Sequence, residues 1–229
     1  MRRSDLPFDI IFLDAGRTLL GTVDSVGTTY SGFATRHGVH VDPVAVEQAF
    51  RAAFAAQREL SPGAQNRAWW WEIVKGTFAR VGVPGEHREL FEELHEFYAR
   101  PEGWRLFPGA VETLKGLRAL GYRTGMISNW DERLPDLLEG LGLAEGLDPV
   151  VVSCEVGREK PDPRIFHRAL DLAGVAPARA LMVGDDEMAD IEGATAVGMA
   201  ALRIDHDADE PPDGVITALP QLLDRLAPA

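Results

Sequence analysis

The chain changes its hydrophobic period twice. From Phe8 to Leu13 nearly every residue is apolar, which reads as a strand buried on both faces. That run ends on Asp14, and a small turn-like Ala15-Gly16-Arg17 follows before Thr18. Between Gly21 and Gly103 the apolar residues recur at helical spacing instead, and no strand pattern intervenes. Helices are expected over Val26–His37, Pro43–Leu60, Ala68–Val81 and Glu86–Arg100. Asp42-Pro43 supplies an N-cap and a proline at the first helical position, with Ala45, Ala49, Phe50, Ala53 and Phe54 following at helical spacing. Pro62-Gly63 and Val83-Pro84-Gly85 mark loops. In the third helix Trp70, Val74 and Phe78 share one face and Trp69, Ile73 and Gly76 a neighbouring one, so Trp69-Trp70-Trp71 cannot all point the same way.

From Arg105 onward short apolar runs alternate with amphipathic segments, the pattern of βα units around a parallel sheet. Strands are expected at Arg123–Ile127, Val150–Ser153, Ala180–Val183 and Ala200–Ile204, with a short edge strand at Val215-Ile216. Helices are expected from Pro108-Gly109 to Leu120, and over Leu134–Leu141, Pro163–Ala173, Asp190–Val197 and Leu219–Leu226. The fold class is therefore α/β, a Rossmann-like parallel-sheet core formed by residues 1–20 and 104–229 with an all-helical insertion over 21–103.

Composition narrows what such a fold can act on. The 229 residues, 45% hydrophobic, suffice for a sizeable core. With 23 basic and 36 acidic residues the net charge is −13, a field that repels nucleic acid and anionic membrane surfaces, so neither is an expected partner. A small molecule is the better fit, and an anionic one needs a local positive site. Only Lys75, Lys115 and Lys160 are lysines. Cys154 is the single cysteine, which excludes an intrachain disulfide and a multi-cysteine zinc site and fits a reducing cytoplasm. Met1-Arg2-Arg3 is basic, but the apolar stretch behind it is short and broken by Asp5, Asp9 and Asp14, unlike a secretory or membrane segment. The six histidines show no metal-ligand spacing, and the acidic run Asp205–Glu210 reads as a solvated loop.

Polar residues then stand out at the ends of successive core strands: Asp14, Ser128, Lys160 and Asp185. Alone, Asp14 fits a turn cap as well as a catalytic carboxylate. Together the four converge at one edge of such a sheet, where open α/β folds place their ligands.

In this order and with this insertion the motifs resemble those of the haloacid dehalogenase superfamily. Asp14 with Thr18 matches the first motif, Ser128 of Ile127-Ser128-Asn129 the second, Lys160 of Lys160-Pro161-Asp162-Pro163 the third, and Gly184-Asp185-Asp186 with Asp190 the fourth. The resemblance implies that Asp14 becomes a transient aspartyl-phosphate and that Ser128 and Lys160 hold the phosphoryl oxygens. It also implies that Mg²⁺ is bound by Asp14, the Gly16 carbonyl and Asp185, supported by Asp190. Oxygen-only ligands suit that hard cation. Thr18 and Asn129 join Arg17 as candidate substrate contacts, and residues 21–103 take the place of the helical cap that covers such sites and selects the substrate.

One departure counts against an ordinary phosphatase. Superfamily phosphatases carry a second aspartate two residues after the nucleophile, where it protonates the leaving group and then activates water; here that residue is Gly16, and Arg17 stays protonated and cannot replace it. Several further features together resemble a single subgroup, some of whose members also lack that aspartate: Val26-Gly27 before Tyr30, the Trp-Trp pair before Val74 and Thr77-Phe78, and Asp131 after Ile127-Ser128-Asn129. The expected function is a Mg²⁺-dependent hydrolase of a small phosphorylated molecule with a compromised general acid. The alternatives are a non-catalytic metal- or phosphate-binding descendant, a metal-free 2-haloacid dehalogenase, and a phosphonate-cleaving hydrolase, for which Lys75 offers a positional match only.

Overall fold

The computed structural model describes residues 6–60 and 66–227, so the readings of Met1-Arg2-Arg3, Asp5 and Pro62-Gly63 lie outside the described residues. Two compact units form, Met1–Gly21 with Leu106–Ala229, and Thr22–Arg105. In chain order the first part comprises β1 (Ile10–Leu13), β2 (Leu20–Thr22), α1 (Val26–Arg36), α2 (Pro43–Leu60), α3 (Arg67–Arg80), α4 (Arg88–Phe97) and β3 (Trp104–Leu106). There follow α5 (Ala110–Ala119), β4 (Arg123–Ser128), α6 (Leu134–Gly140), β5 (Leu147–Val152), α7 (Ser153–Val156) and α8 (Pro163–Ala173). The chain closes with β6 (Ala180–Gly184), a π-helical turn at Glu187–Glu192, α9 (Gly193–Ala196), β7 (Ala200–Arg203) and α10 (Gln221–Leu226).

Strands β5-β4-β1-β6-β7 form one sheet, parallel throughout. β1 is central because its side chains, Ile10 to Leu13, are wholly removed from water, and each such burial contributes about 1.5–3 kcal/mol. The strand order reverses on either side of β1, which is where sheets of this kind open a crevice at their carboxyl ends. Leu13 lies level with Met126 of β4 and Val183 of β6, and the Asp14 N–H extends the ladder by donating to the Val183 carbonyl at 2.9 Å. Register therefore delivers Asp14, Ser128 and Asp185 to the same sheet edge. On one face α8, capped by Asp162 and opened by Pro163, packs Ile165, Phe166, Ala169 and Leu170 against Phe12, Ile127 and Met182.

The helical unit has its own core. Tyr30, Val74, Phe78, Leu90, Phe91 and Leu94 are buried together, with the Tyr30 ring 5.7 Å from Phe50 and stacked on Phe78. Trp69 is buried with Ala53 and Ile73, while Trp71 packs on Phe91 under the Arg88 guanidinium. The three indoles thus divide between faces and serve packing. Lys75 pairs with Glu72 at 2.7 Å. The expected N-cap is present, Asp42 accepting from the Ala45 N–H at 2.9 Å. Among the described residues no helix is long and apolar enough to cross a membrane.

Several expectations need correction. Two short strands that no period announces, β2 and β3, flank the helices of the insertion and pair as a two-stranded ribbon; at three residues each they are too short to show a period. β5 begins at Leu147, three residues early, because Asp148-Pro149 breaks the apolar run that would reveal it. Ser153 opens α7 instead of closing a strand. Val215-Ile216 makes only a single bridge, Ile216 to Ile204. The turn holding Asp190 starts at Glu187 and is π-helical.

Candidate active site

Asp14 is the hub of the edge where the strands end. Its Oδ1 accepts from the Ser128 hydroxyl at 2.9 Å and from the Lys160 ammonium at 2.8 Å. No donor among the described residues reaches Oδ2. Lys160 is almost fully buried and uses its three N–H bonds on Asp14, on Asp190 Oδ1 at 2.5 Å and on the Ile127 carbonyl at 2.8 Å. A buried ammonium costs several kcal/mol of lost hydration unless charge and hydrogen bonds replace it, and here both do. Burial alone would push Lys160 down; the Asp14 and Asp190 carboxylates outweigh it and hold the ammonium above its ordinary range, firmly protonated.

Lys160 is not at a strand end, as the sequence suggested. It sits in the loop between α7 and α8, eight residues past β5, and Asn129 brings it in. The Asn129 side chain accepts from the Lys160 N–H at 2.7 Å and donates to the Lys160 carbonyl at 3.0 Å, so its amide is engaged by backbone. Ser153 fixes the adjoining residue, its hydroxyl lying 3.1 Å from both the N–H and the carbonyl of Trp130. Asp131 is buried in a chelate with Arg133. Nothing in the sequence marks Trp130 or Ser153; Trp130 lies in the loop after Ser128, and only the fold brings Ser153 to it.

The acidic side of the site comes from β6 and the π-turn. Asp14, Asp185 and Asp190 each offer a carboxylate oxygen, all within 4.8 Å of one another. Asp190 is set by the wide turn: its Oδ2 accepts from the Asp186 N–H at 3.1 Å, and its N–H donates to the Asp186 carbonyl. Gly184 makes room for it, since a Cβ there would stand 2.2 Å from the Asp190 carboxyl carbon. Burial pushes Asp185 up to about 6, helped by the Asp14 charge and opposed by Arg17. Burial also pushes Asp190 up, opposed by Lys160. Three hard oxygen donors, two of them lifted by burial and by the Asp14 charge, form a set that a divalent cation would relieve.

The turn after Asp14 carries the remaining candidates. Arg17 adopts a left-handed backbone, φ 56°, and its N–H donates to the Leu20 carbonyl at 2.7 Å. Its guanidinium pairs with Asp185 at 2.9 Å and Asp207 at 3.4 Å. The Asp205–Glu210 run is therefore tied to the site through Asp207. Thr18 is fully buried, its Oγ1 without a partner and its carbonyl 3.0 Å from His206 Nε2. Gly16 has ordinary backbone geometry, and a Cβ on it would meet only Trp130, at 3.4 Å.

This geometry has relatives. The model of the haloacid dehalogenase-like hydrolase family matches residues 8–198. A mouse protein named haloacid dehalogenase-like hydrolase domain-containing protein 3 is 40% identical over 219 residues, covering 92% of this chain and 86% of its own. The human protein of the same name is 40% identical over 207 residues, 87% and 82% of the two chains. Among solved structures, the magnesium-bound putative HAD-hydrolase YfnB from Bacillus subtilis superposes with a TM-score of 0.79 at 16% identity, over 96% of this chain and 98% of that one. L-2-haloacid dehalogenase from Xanthobacter autotrophicus, with chloropropionic acid covalently bound, gives 0.76 at 20% identity over 95% and 97%. Those two likenesses establish the fold, and the sequence matches over most of the chain establish more: it belongs to the haloacid dehalogenase-like hydrolase family.

Proposed function

We propose that this chain is a Mg²⁺-dependent phosphatase of a small phosphorylated molecule, working in the cytoplasm, with Asp14 as nucleophile. The observation that carries the reading is the approach of Asp14, Asp185 and Asp190 to within 4.8 Å beside a buried, protonated Lys160. A metal-free dehalogenase has no use for two further carboxylates that repel its anionic substrate. Bound by Asp14, Asp185, Asp190 and the Gly16 carbonyl, Mg²⁺ would supply the positive charge that lets a carboxylate approach a phosphate dianion.

The chain's own residues do the rest. Ser128 and Lys160 hold Oδ1, which leaves Oδ2 to attack phosphorus as the ester oxygen departs, giving an aspartyl-phosphate on Asp14. Lys160 offsets the charge of the attacking carboxylate, and its contact with Asp14 is the one a phosphoryl oxygen would share. Asn129 holds the Lys160 loop in place. At Gly16 nothing protonates the leaving group, so substrates with good leaving groups suffer least, and hydrolysis of the aspartyl-phosphate lacks its usual base. The first test is turnover of p-nitrophenyl phosphate with and without Mg²⁺. Metal binding with no turnover across a broad panel of phosphate esters would favour a non-catalytic binding protein, the reading that the missing aspartate supports.

Two expectations follow from local chemistry. Gly16→Asp should raise turnover of an alkyl phosphate by about 10²-fold or more, the usual worth of a positioned acid–base group. The backbone accepts aspartate there and only the Trp130 ring need give way. Steady-state rates on alkyl and aryl phosphates compare the two proteins; an unchanged alkyl-to-aryl ratio would mean that the defect lies elsewhere.

The second concerns pH. Burial pushes Asp185 up to about 6 in the folded protein and pushes Asp190 up as well, against 3.8 for each when unperturbed, so between 3.8 and about 6 the native state holds more protons than the unfolded one. Stability of the metal-free protein therefore falls as pH rises through this window. Mg²⁺ needs both carboxylates, so its affinity should drop by at least about tenfold per pH unit below 6. The shift in thermal midpoint caused by Mg²⁺ should accordingly grow from pH 5 to pH 7, as differential scanning fluorimetry would register.

A further inference from the structure

We infer that Arg17 is a latch on the metal site: its guanidinium occupies the Asp185 carboxylate in the metal-free protein and must let go before a divalent cation can take that ligand. The inference rests on the Mg²⁺ reading above and concerns a residue that the sequence offers only as a candidate substrate contact.

The geometry is specific. Arg17 Nε donates to Asp185 Oδ2 at 2.9 Å, and Asp185 is one of the three carboxylates whose oxygens cluster within 4.8 Å. The side chain is aimed there by its backbone. Arg17 is the sole non-glycine residue with positive φ among the described residues, and the turn is closed by the Arg17 N–H on the Leu20 carbonyl and by the Leu19 and Leu20 N–H groups on the Ala15 carbonyl. A left-handed conformation is unfavourable for a residue with a Cβ, so the position of Arg17 is imposed by the turn. Two more residues hold the far side. His206 lies against the Thr18 carbonyl and stacks on Phe107 with ring centroids 3.8 Å apart, and the next residue, Asp207, meets Arg17 Nη2 at 3.4 Å. The guanidinium thus bridges a site carboxylate and an outer one, and Asp207 keeps it close after Asp185 is surrendered.

Charge explains why a latch is wanted. Asp14, Asp185 and Asp190 bring three negative charges to one sheet edge, and Lys160 meets only Asp14 and Asp190. Asp185 is left to Arg17. A cation entering the cluster competes with an ion pair whose arginine is largely exposed, and exposed pairs contribute little, so the latch weakens binding without blocking it.

Mn²⁺, an oxygen-seeking stand-in for Mg²⁺, can be titrated by electron paramagnetic resonance with no substrate present. Arg17→Ala should bind it about fivefold tighter than the wild type, as expected when a competing exposed pair is removed. Arg203→Gln separates a latch from a general field effect. Arg203 is a neighbouring cation that reaches only the Asp185 backbone carbonyl, at 3.3 Å, together with Glu187 and Asp205. Its loss should change Mn²⁺ affinity less than twofold. In the wild type, adding Mg²⁺ should also move the Arg17 Nε–H resonance, identified by its absence in Arg17→Ala, to the position of a solvent-exposed guanidinium. Equal affinity in wild type and Arg17→Ala, equal gains from both arginine variants, or an unmoved resonance overturns the latch and leaves the metal site standing. No Mn²⁺ bound by any of the three proteins overturns both.

Discussion

Asp14→Asn is expected to lower turnover of p-nitrophenyl phosphate by about 10⁴-fold or more while leaving the protein folded. Removal of a nucleophile is among the costliest single changes an active site can suffer. The amide keeps an oxygen to accept from Ser128 and Lys160, so the hydrogen bonds at Oδ1 survive and only the attacking oxygen is lost. Intact mass after an acid quench gives a direct view. The wild type should carry a phosphoryl adduct, made unusually long-lived by the absence of a base at Gly16, and Asp14→Asn should carry none. An adduct of equal size in both proteins would place the nucleophile elsewhere.

The largest effect on stability should come from Lys160→Met. Methionine is of similar length but removes the one ammonium that, among the described residues, meets the buried carboxylates of Asp14 and Asp190. Breaking a buried ion pair from one side typically costs about 3–5 kcal/mol, because the surviving charges are left uncompensated. For a chain of this size that corresponds to a fall of roughly 10 °C in the thermal midpoint, at about 2–4 °C per kcal/mol. Mg²⁺ should restore part of the loss, since a divalent cation replaces the missing positive charge, and should therefore raise the midpoint of the variant more than that of the wild type. A variant as stable as the wild type would mean that Lys160 contributes nothing net to holding the carboxylates.

How much of this was legible in the sequence depends on the kind of signal. β1 announces itself as an apolar run ending on a carboxylate, and α8 as Asp162-Pro163 before a helical stripe, because burial and capping leave local traces. Ser128 and Asp185 follow from strand ends for the same reason. Lys160 is different: its position comes from a loop pinned by a pair of hydrogen bonds with Asn129, one accepted and one donated by its side-chain amide, and nothing in the spacing of the two residues predicts that pairing. The contact between Trp130 and the Gly16 position, and the hold of Ser153 on Trp130, are likewise products of tertiary packing across distant segments. Arg17 was read as a candidate for anionic substrate; its pairing with Asp185 and Asp207 joins residues 168 and 190 positions apart, which a local pattern cannot show.

The π-turn at Glu187–Glu192 gives this part of the chain two separate tolerances. Its wider loop closes with the Ile191 N–H as well as the Asp190 N–H facing the Asp186 carbonyl, and in that turn Asp190 lies against Gly184 and beside Lys160. Composition at the outer positions is cheap to vary, as Met188, 63% exposed, illustrates. Length is not. Deleting one residue between Asp186 and Asp190 would relax the turn to ordinary helix and swing the carboxylate about 100° around the axis, away from the lysine that neutralises it. The outer residues of this segment can therefore be exchanged at little cost, whereas a change in its residue count displaces a ligand of the site.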